Sequence, residues 1–273
     1  MGKTILITGA TDGIGKQTAI ELAAKGEIVI IHGRNDEKCL AVKEEILTTK
    51  PNARVDSISA DFSSLSAVKS MAETISHNYE RLDVLINNAG VYKTSKEFSQ
   101  DGFEMNLAVN YLAAYVLTKN LQDLLEKSRP SRIINVSSIA HKRGRIDTIQ
   151  LSKQSYGDYD SYKAYADSKL MLVYLTYYLA DELIESGITV NALHPGVITT
   201  KMLIEGFNMK GDDVSIGAET PVFLALSPDV EGVTGKYFDK NVAVPSSRLS
   251  YDQMMREEIM AWTQKTLKKG GWV

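Results

Sequence analysis

The stretch Thr8-Gly9-Ala10-Thr11-Asp12-Gly13-Ile14-Gly15 constrains the fold of this chain more than any other. A β-rich run, Thr4–Thr8, ends in it, and an amphipathic helix, Ile14–Lys25, opens from it. Three glycines at that junction let the backbone turn tightly from strand to helix. A strand that passes into a helix in so few residues is the first half of a strand–helix–strand unit, which needs a parallel sheet. The unit repeats along the chain. Glu27–His32 reads as a strand and Asp36–Thr49 as a helix. Arg54–Ser59 and Ser64–Tyr79 follow, then Leu82–Asn87 and a long helix over Gln100–Lys127. Arg132–Ser137, the helix Ser161–Glu185 and the strand Thr189–His194 complete the series. The strands are runs of Ile, Val and Leu with weak alternation, as expected when helices cover both faces of a sheet. This pattern, without long polar linkers, predicts an α/β fold: one domain over 1–273 with a doubly wound, mostly parallel sheet.

Three segments break the pattern. Ala140–Asp160 is polar and glycine-containing, Val197–Asp213 carries Gly206 and Gly211 among scattered apolar residues, and Asn241–Leu249 contains Pro245. All follow or flank strand ends, where ligands bind in open α/β sheets. The segments 140–160 and 197–213 are therefore expected to shape a substrate pocket. With 31 basic and 34 acidic residues the net charge is -3, and no basic face argues for nucleic acid. Cys39 is the only cysteine, so no internal disulfide forms, which fits a reducing cytoplasm. The first strand begins at Thr4, leaving no room before it for a signal peptide or membrane anchor, and the apolar stretch Leu170–Ala180 is too short to span a bilayer. No metal site is expected.

Two constellations carry chemistry. Tyr165 and Lys169 stand one helical turn apart, so phenol and ammonium share a face. A free phenol titrates near ~10, and a neighbouring cation favours the phenolate. The pair can thus serve as a general acid/base. The Thr8–Gly15 loop places glycines where a backbone approaches a pyrophosphate at a helix N-terminus, although its Gly-x-x-x-Gly-x-Gly spacing departs from Gly-x-Gly-x-x-Gly. Gly33, at the end of the second strand, offers no carboxylate for an adenosine ribose, and Arg34 offers a guanidinium for a 2′-phosphate, with Lys16 as added charge. NADP(H) is therefore expected as cofactor over NAD(H).

With these residues on the page, the chain resembles the short-chain dehydrogenase/reductase family, a Rossmann-type fold, over nearly its whole length. Thr8–Gly15 matches the family's glycine loop, which assigns Thr8, Gly9, Thr11, Asp12, Gly13, Ile14 and Gly15 to the cofactor. Asp61-Phe62-Ser63 matches the acidic turn at the adenine, and Asn87-Asn88-Ala89-Gly90 the signature after the fourth strand, adding Asp61, Phe62, Asn88, Ala89 and Gly90. Val109-Asn110 falls where the family has its active-site Asn, with Asn106 as rival. Asn135-Val136-Ser137-Ser138 matches the serine motif; periodicity leaves Ser137 and Ser138 both open, and the resemblance selects Ser138. His194-Pro195-Gly196-Val197 matches the motif near the nicotinamide, adding Pro195, Gly196 and Val197. Val136–His141, His194–Val197, Gly235-Lys236-Tyr237-Phe238 and the long interval from Ser138 to Tyr165 resemble the retinol-dehydrogenase-like branch.

The resemblance implies hydride transfer between NADP(H) and a carbonyl or alcohol. Ser138 would bond the carbonyl oxygen and Tyr165 would protonate it. Lys169 would lower the Tyr165 pKa and hold the nicotinamide ribose, and Asn110 would hold a water linking Lys169 to solvent. His141 and His194 read as structural or as substrate lining. Ile139, Val197, Met202, Leu203 and Phe207 point to a medium-sized apolar substrate. The rival reading is an NADP-binding regulatory protein on the same fold with little or no turnover. Finally, Leu170, Tyr174, Tyr177 and Tyr178 lie opposite the catalytic face of their helix. Such an apolar face marks either a two-fold contact, giving a homodimer, or a surface covered by the C-terminal segment with Trp262 and Leu267.

Overall fold

Strands that are apolar on both faces must lie inside, and β1 (Thr4–Ile7), β2 (Ile28–Gly33) and β4 (Val84–Asn87) do so with almost no exposed surface. The structure, a computed structural model, describes residues 2–148, 151 and 158–273. With β3 (Arg54–Ser59), β5 (Ser131–Val136), β6 (Ile188–His194), β7 (Tyr237–Asp239) and β8 (Val242–Val244) they form one sheet in the order β3-β2-β1-β4-β5-β6-β7-β8. All neighbours are parallel except β7 and β8, which form an antiparallel edge. The order reverses between β1 and β4, and that crevice is where open sheets of this kind bind ligands.

Helices α1 (Gly13–Ala24), α2 (Asp36–Thr49), α3 (Leu65–Asn78), α5 (Ser161–Glu182), α6 (Lys201–Phe207), α7 (Val214–Leu226) and α8 (Gln253–Gly270) surround the sheet. Their starts are set by side chains that satisfy first-turn N–H groups. Asn35 caps α2, Ser64 caps α3 and Asp160 caps α5. Two apolar clusters lie on opposite faces of the sheet, one packed by α3 and α5 and the other by α1 and α7. A buried polar ladder crosses the first of these faces. Asn87 Nδ2 donates to Asn135 Oδ1 at 2.9 Å, and Asn135 Nδ2 donates to Thr176 Oγ1 at 2.9 Å, tying β4, β5 and α5 beneath the strand ends.

The strand–helix series expected from the sequence is present, with three differences. The helix expected over Gln100–Lys127 does not begin at Gln100. Phe98 and Glu104 form a β-bridge, and α4 opens at Met105–Leu107, widens into a π turn at Ala108–Leu112 and continues as Ala113–Lys127. Glu104 causes the late start, since its carboxylate caps the Leu107 N–H at 2.8 Å. The segment 197–213 is not irregular throughout, because Thr200 caps α6 within it, and β8 lies within Asn241–Leu249. Of the segment 140–160, residues 149–150 and 152–157 lie outside the described residues.

The tyrosine face of α5 is covered by the chain itself. Leu170 and Tyr174 are each 1% exposed. The Tyr174 hydroxyl donates to the Leu249 carbonyl at 2.6 Å, and Gln264 of α8 donates to the Tyr178 hydroxyl at 2.9 Å. The argument for a homodimer built on that face falls, and any two-fold contact must use another surface.

Candidate active site

At the crevice the loops after β1 and β4 are locked together. Thr8 Oγ1 accepts from the N–H groups of Asn88 and Ala89, both at 2.9 Å, and Asn88 Nδ2 returns bonds to the carbonyls of Thr8 at 2.7 Å and Gly9 at 3.1 Å. A Cβ on Gly9 would stand 2.8 Å from Ala89 Cα, and one on Gly15 would stand 2.4 Å from the Gly9 carbonyl. Both distances are too short for real side chains, so glycine is required for this approach. Asp12 caps Gly13 at 2.7 Å, which leaves the N–H groups of Ile14 and Gly15 in the first turn of α1 for an anion. A cavity of about 470 Å³ opens there, lined among others by Asp12, Gly13, Lys16, Thr199 and Thr200.

His32, near the end of β2, holds this cradle. Its Nδ1 accepts from the Gly9 N–H at 3.2 Å, its Nε2 lies 3.1 Å from the Ala60 carbonyl, and its ring stacks on Phe62 at 4.2 Å. Burial pushes the imidazole down to about 4, so it is neutral. No periodicity could have revealed this, because the partners are backbone groups of distant loops. Asp61 is exposed at the same turn, where its carboxylate accepts from the Ser63 N–H at 2.9 Å. A side chain at Gly33 would meet Thr11 Cγ2 at 2.4 Å and Cys39 Sγ at 3.0 Å, so no carboxylate fits there. Arg34 is exposed beside it and makes no ion pair among the described residues. Lys16 is paired with Glu45 at 2.7 Å.

The structure brings Ser138, Tyr165 and Lys169 together at the ends of β5 and α5. The Ser138 side chain faces Tyr165 and favours its phenolate. Lys169 Nζ lies 5.8 Å from the Tyr165 ring centre and donates to the Val136 carbonyl at 3.0 Å. Tyr165 is 7% and Lys169 4% exposed. Ser137 faces away, donating to the Lys169 carbonyl at 3.0 Å. The expected lowering of the Tyr165 pKa by Lys169 is not what dominates here. Burial pushes the phenol up to about 12, against the opposing effect of Ser138, and burial pushes Lys169 down to about 8. A low-dielectric site penalises both charges.

Asn110 sits in the π turn, the kind of helical defect often found at functional sites. Its side chain accepts from the Val91 N–H at 2.7 Å and donates to the Val91 carbonyl at 3.0 Å and to Ser168 Oγ at 2.9 Å. A Cβ on Gly90 would lie 3.2 Å from Lys169 Nζ and 3.4 Å from Asn110 Oδ1, so both groups face that glycine. Asn106 is spent on Glu104 and Tyr159. After β6, Pro195 and Gly196 are half-buried and Val197 is exposed; Gly196 has φ +98.

Over the phenol lies an aromatic group that the sequence did not assign. The Tyr92 ring is 5.4 Å from Tyr165 and 4.2 Å from Phe207 of α6. Met202 and Phe207 pack with Tyr92 against Tyr165, Ala140 and Ala166, while Ile139 and Val197 are each 42% exposed. Tyr92 lies just past the motif after β4, and no residue pattern marked it.

A glycine cradle at a sheet crevice beside a Ser-Tyr-Lys group defines a nucleotide-linked oxidoreductase of the doubly wound class. The chain belongs to the short chain dehydrogenase family, whose description matches residues 3–210. It is 39% identical to retinol dehydrogenase 13 of Mus musculus, over 96% of this chain and 82% of that protein, and the retinol-dehydrogenase-like branch is where it falls. Short-chain dehydrogenase TIC 32 B, chloroplastic, of Brassica napus is 38% identical over 89% of this chain and 82% of that protein. Among solved structures, a putative short chain dehydrogenase of Shigella flexneri complexed with NADP superposes with a TM-score of 0.73 at 27% identity, covering 88% of this chain and 97% of that one. Among the described residues no helix is long and apolar enough to cross a membrane.

Proposed function

We propose that this protein is an NADP(H)-dependent oxidoreductase acting on a carbonyl or alcohol of a medium-sized apolar substrate, with Tyr165 as general acid/base. The observation that carries the reading is Ser138 beside the buried Tyr165 phenol, with Lys169 buried behind it. The cradle fits a dinucleotide: Gly9 and Gly15 admit no side chain, first-turn N–H groups are left for phosphate, and position 33 excludes a carboxylate beside exposed Arg34. Gly13, Ile14, Asn88, Ala89 and the Pro195–Val197 turn would hold the cofactor, with Asp61 and Phe62 at the adenine end. When bound, NADP(H) supplies or accepts a hydride.

The chain's own residues handle the proton. In the reducing direction Ser138 donates to the carbonyl oxygen and Tyr165 gives it a proton. A phenol held near 12 by burial stays loaded at neutral pH. In the oxidising direction the phenolate must form. Lys169, largely cationic at pH 7 with a pKa of about 8, stabilises it. Asn110 and Lys169 both face Gly90, where a water would join them to solvent. Tyr92, Met202 and Phe207 cover Tyr165 with apolar surface, which favours an apolar substrate over a charged one. Cys39, fully buried with its thiol pushed up by burial, fits a reducing compartment such as the cytoplasm.

The test is a panel of aldehydes, ketones and alcohols followed by NADPH absorbance. Turnover of apolar members is expected. Preference for phosphorylated or carboxylated members removes the substrate assignment. NADPH binding with no turnover on any member removes the enzyme assignment and leaves a regulatory binding protein.

A further inference from the structure

His141 is buried, engaged through both ring nitrogens, and has no part in the proton transfer described above. We infer that it is a positioning residue, holding Ser138 in register with Tyr165 by tying the Ser138 backbone to the C-terminal segment at Ser247. The inference rests on the reading of Ser138 and Tyr165 given under the proposed function.

Ser138 lies two residues past the end of β5 and caps the short 3-10 turn Ile139–Arg143. Its hydroxyl accepts from the Ala140 N–H at 3.2 Å, so its place beside Tyr165 depends on how the following turn is held. His141, 0% exposed, holds it. Its Nδ1 is 2.7 Å from the Ser138 carbonyl oxygen, and its Nε2 is 3.0 Å from the Ser247 backbone nitrogen. A backbone N–H only donates, so Nε2 is the acceptor and Nδ1 carries the proton. That single tautomer serves both partners, and a doubly protonated ring could not. Burial, which pushes the ring down to about 4, keeps it in the neutral form.

Ser247 is itself anchored. Its carbonyl accepts from Ser250 Oγ at 2.6 Å, and the adjacent Ser246 Oγ is 2.6 Å from both Ser250 Oγ and the Tyr177 hydroxyl. Tyr177 is on α5, three turns beyond Tyr165. The contacts therefore close a circuit: Ser138 to His141, to Ser247, to Tyr177 on α5, and along α5 back to Tyr165. A residue beyond the family-matched range 3–210 thereby fixes the spacing of the Ser138–Tyr165 pair.

The test uses two near-isosteric variants. In His141→Asn the amide nitrogen replaces Nδ1–H and the acceptor for Ser247 is lost. In His141→Gln the amide oxygen replaces Nε2 and the donor to Ser138 is lost. Each should lower kcat roughly 10- to 100-fold, the scale of a misplaced reacting group, with NADPH Kd within about twofold of wild type. In a Ser138→Ala background, neither should change the residual kcat by more than about twofold, because the effect passes through Ser138. Full-sized additional losses in that background, or unchanged kcat in the wild-type background, overturn the inference. Wild-type kcat for Ser138→Ala alone instead removes the reading of the site on which the inference stands. In the unsubstituted protein, 15N NMR should show His141 neutral and protonated at Nδ1 from about pH 5.5 to 8. An Nε2–H tautomer, or titration in that range, overturns the inference whether or not the variants fold.

Discussion

The cofactor side and the carbonyl side of this site are held by different kinds of contact. On the cofactor side two short motifs, 80 residues apart in sequence but on neighbouring strands, meet mostly through backbone groups. Thr8 and Asn88 lock two adjacent loops, and glycines 9 and 15 let them touch. On the carbonyl side Ser138, Tyr165, Tyr92, Phe207 and Ser247 converge from five separate stretches, through aromatic side chains and through His141 bonds to backbone. Each side also has a buried, neutral histidine that uses both ring nitrogens to staple two backbone segments. His32 joins Gly9 to Ala60, and His141 joins Ser138 to Ser247. The difference teaches that the cofactor side needs only neighbouring strand ends brought together, whereas the carbonyl side also needs the loops and the C-terminal segment to fold over it.

The strongest way to break this division is Tyr165→Phe. Loss of the proton donor should lower kcat about 10²- to 10⁴-fold, while NADPH affinity stays within about twofold, because the cradle does not use the hydroxyl. Stopped-flow turnover and fluorescence titration of NADPH measure the two effects separately. Wild-type turnover removes Tyr165 as the acid. A parallel loss of NADPH binding shows that the two sides are one unit.

Legibility in the sequence follows whether a contact lies within one short motif, not which side it serves. The glycine loop, the Asn-Asn-Ala-Gly turn and the Tyr165–Lys169 step were visible because each is a short pattern whose members meet locally. The parallel sheet was implied because strands buried on both faces are continuous apolar runs. Tyr92, His32 and the His141–Ser247 link were not visible, since each partner lies far away in sequence and is often a backbone atom that no residue type announces. The late start of α4 was hidden for a related reason. The Gln100–Lys127 stretch gives no strong stop signal, and Glu104 caps Leu107 only because the Phe98 bridge brings the chain around. The tyrosine face of α5 showed that something must cover it; only the fold shows that α8 and the Leu249 turn do.

The two histidine staples predict acid sensitivity. Each ring is neutral in the fold with its pKa pushed down to about 4, against 6.5 unfolded. Between those values the unfolded chain binds more protons. Their stabilisation is therefore complete above pH 6.5 and is lost as pH falls toward 4, amounting to about 3 kcal/mol for each. Urea unfolding between pH 7 and 5 should show this decline, and His32→Gln should remove roughly half of it. A pH-independent midpoint over that range contradicts the buried neutral rings.

Cofactor choice sharpens the comparison at smaller scale. Arg34→Ala should weaken NADPH by about 1–3 kcal/mol, roughly 5- to 150-fold, and leave NADH nearly unchanged, since the guanidinium pairs only with a 2′-phosphate. Catalysis with saturating NADPH should be unaffected, because the carbonyl side lies at the other end of the crevice. Equal affinity of the wild type for NADPH and NADH removes the NADP assignment.

The smallest expected effect tests whether α6 belongs to the carbonyl side alone. Phe207 packs 4.2 Å from Tyr92 and 6.0 Å from Tyr165, ring centre to ring centre, and touches none of the cradle glycines in that cluster. Aromatic contacts of this kind contribute about 0.5–1.5 kcal/mol beyond burial. Phe207→Ala should therefore raise KM for apolar substrates roughly 2- to 10-fold, with kcat and NADPH Kd changed by less than about twofold. Thr200, which caps α6, also lines the cavity at the start of α1, so the helix stands next to both sides. If NADPH Kd rises as much as KM, α6 clamps the cofactor as well, and the division between the two sides ends at Thr200. If KM rises alone, α6 acts on the substrate and the division runs the length of the crevice.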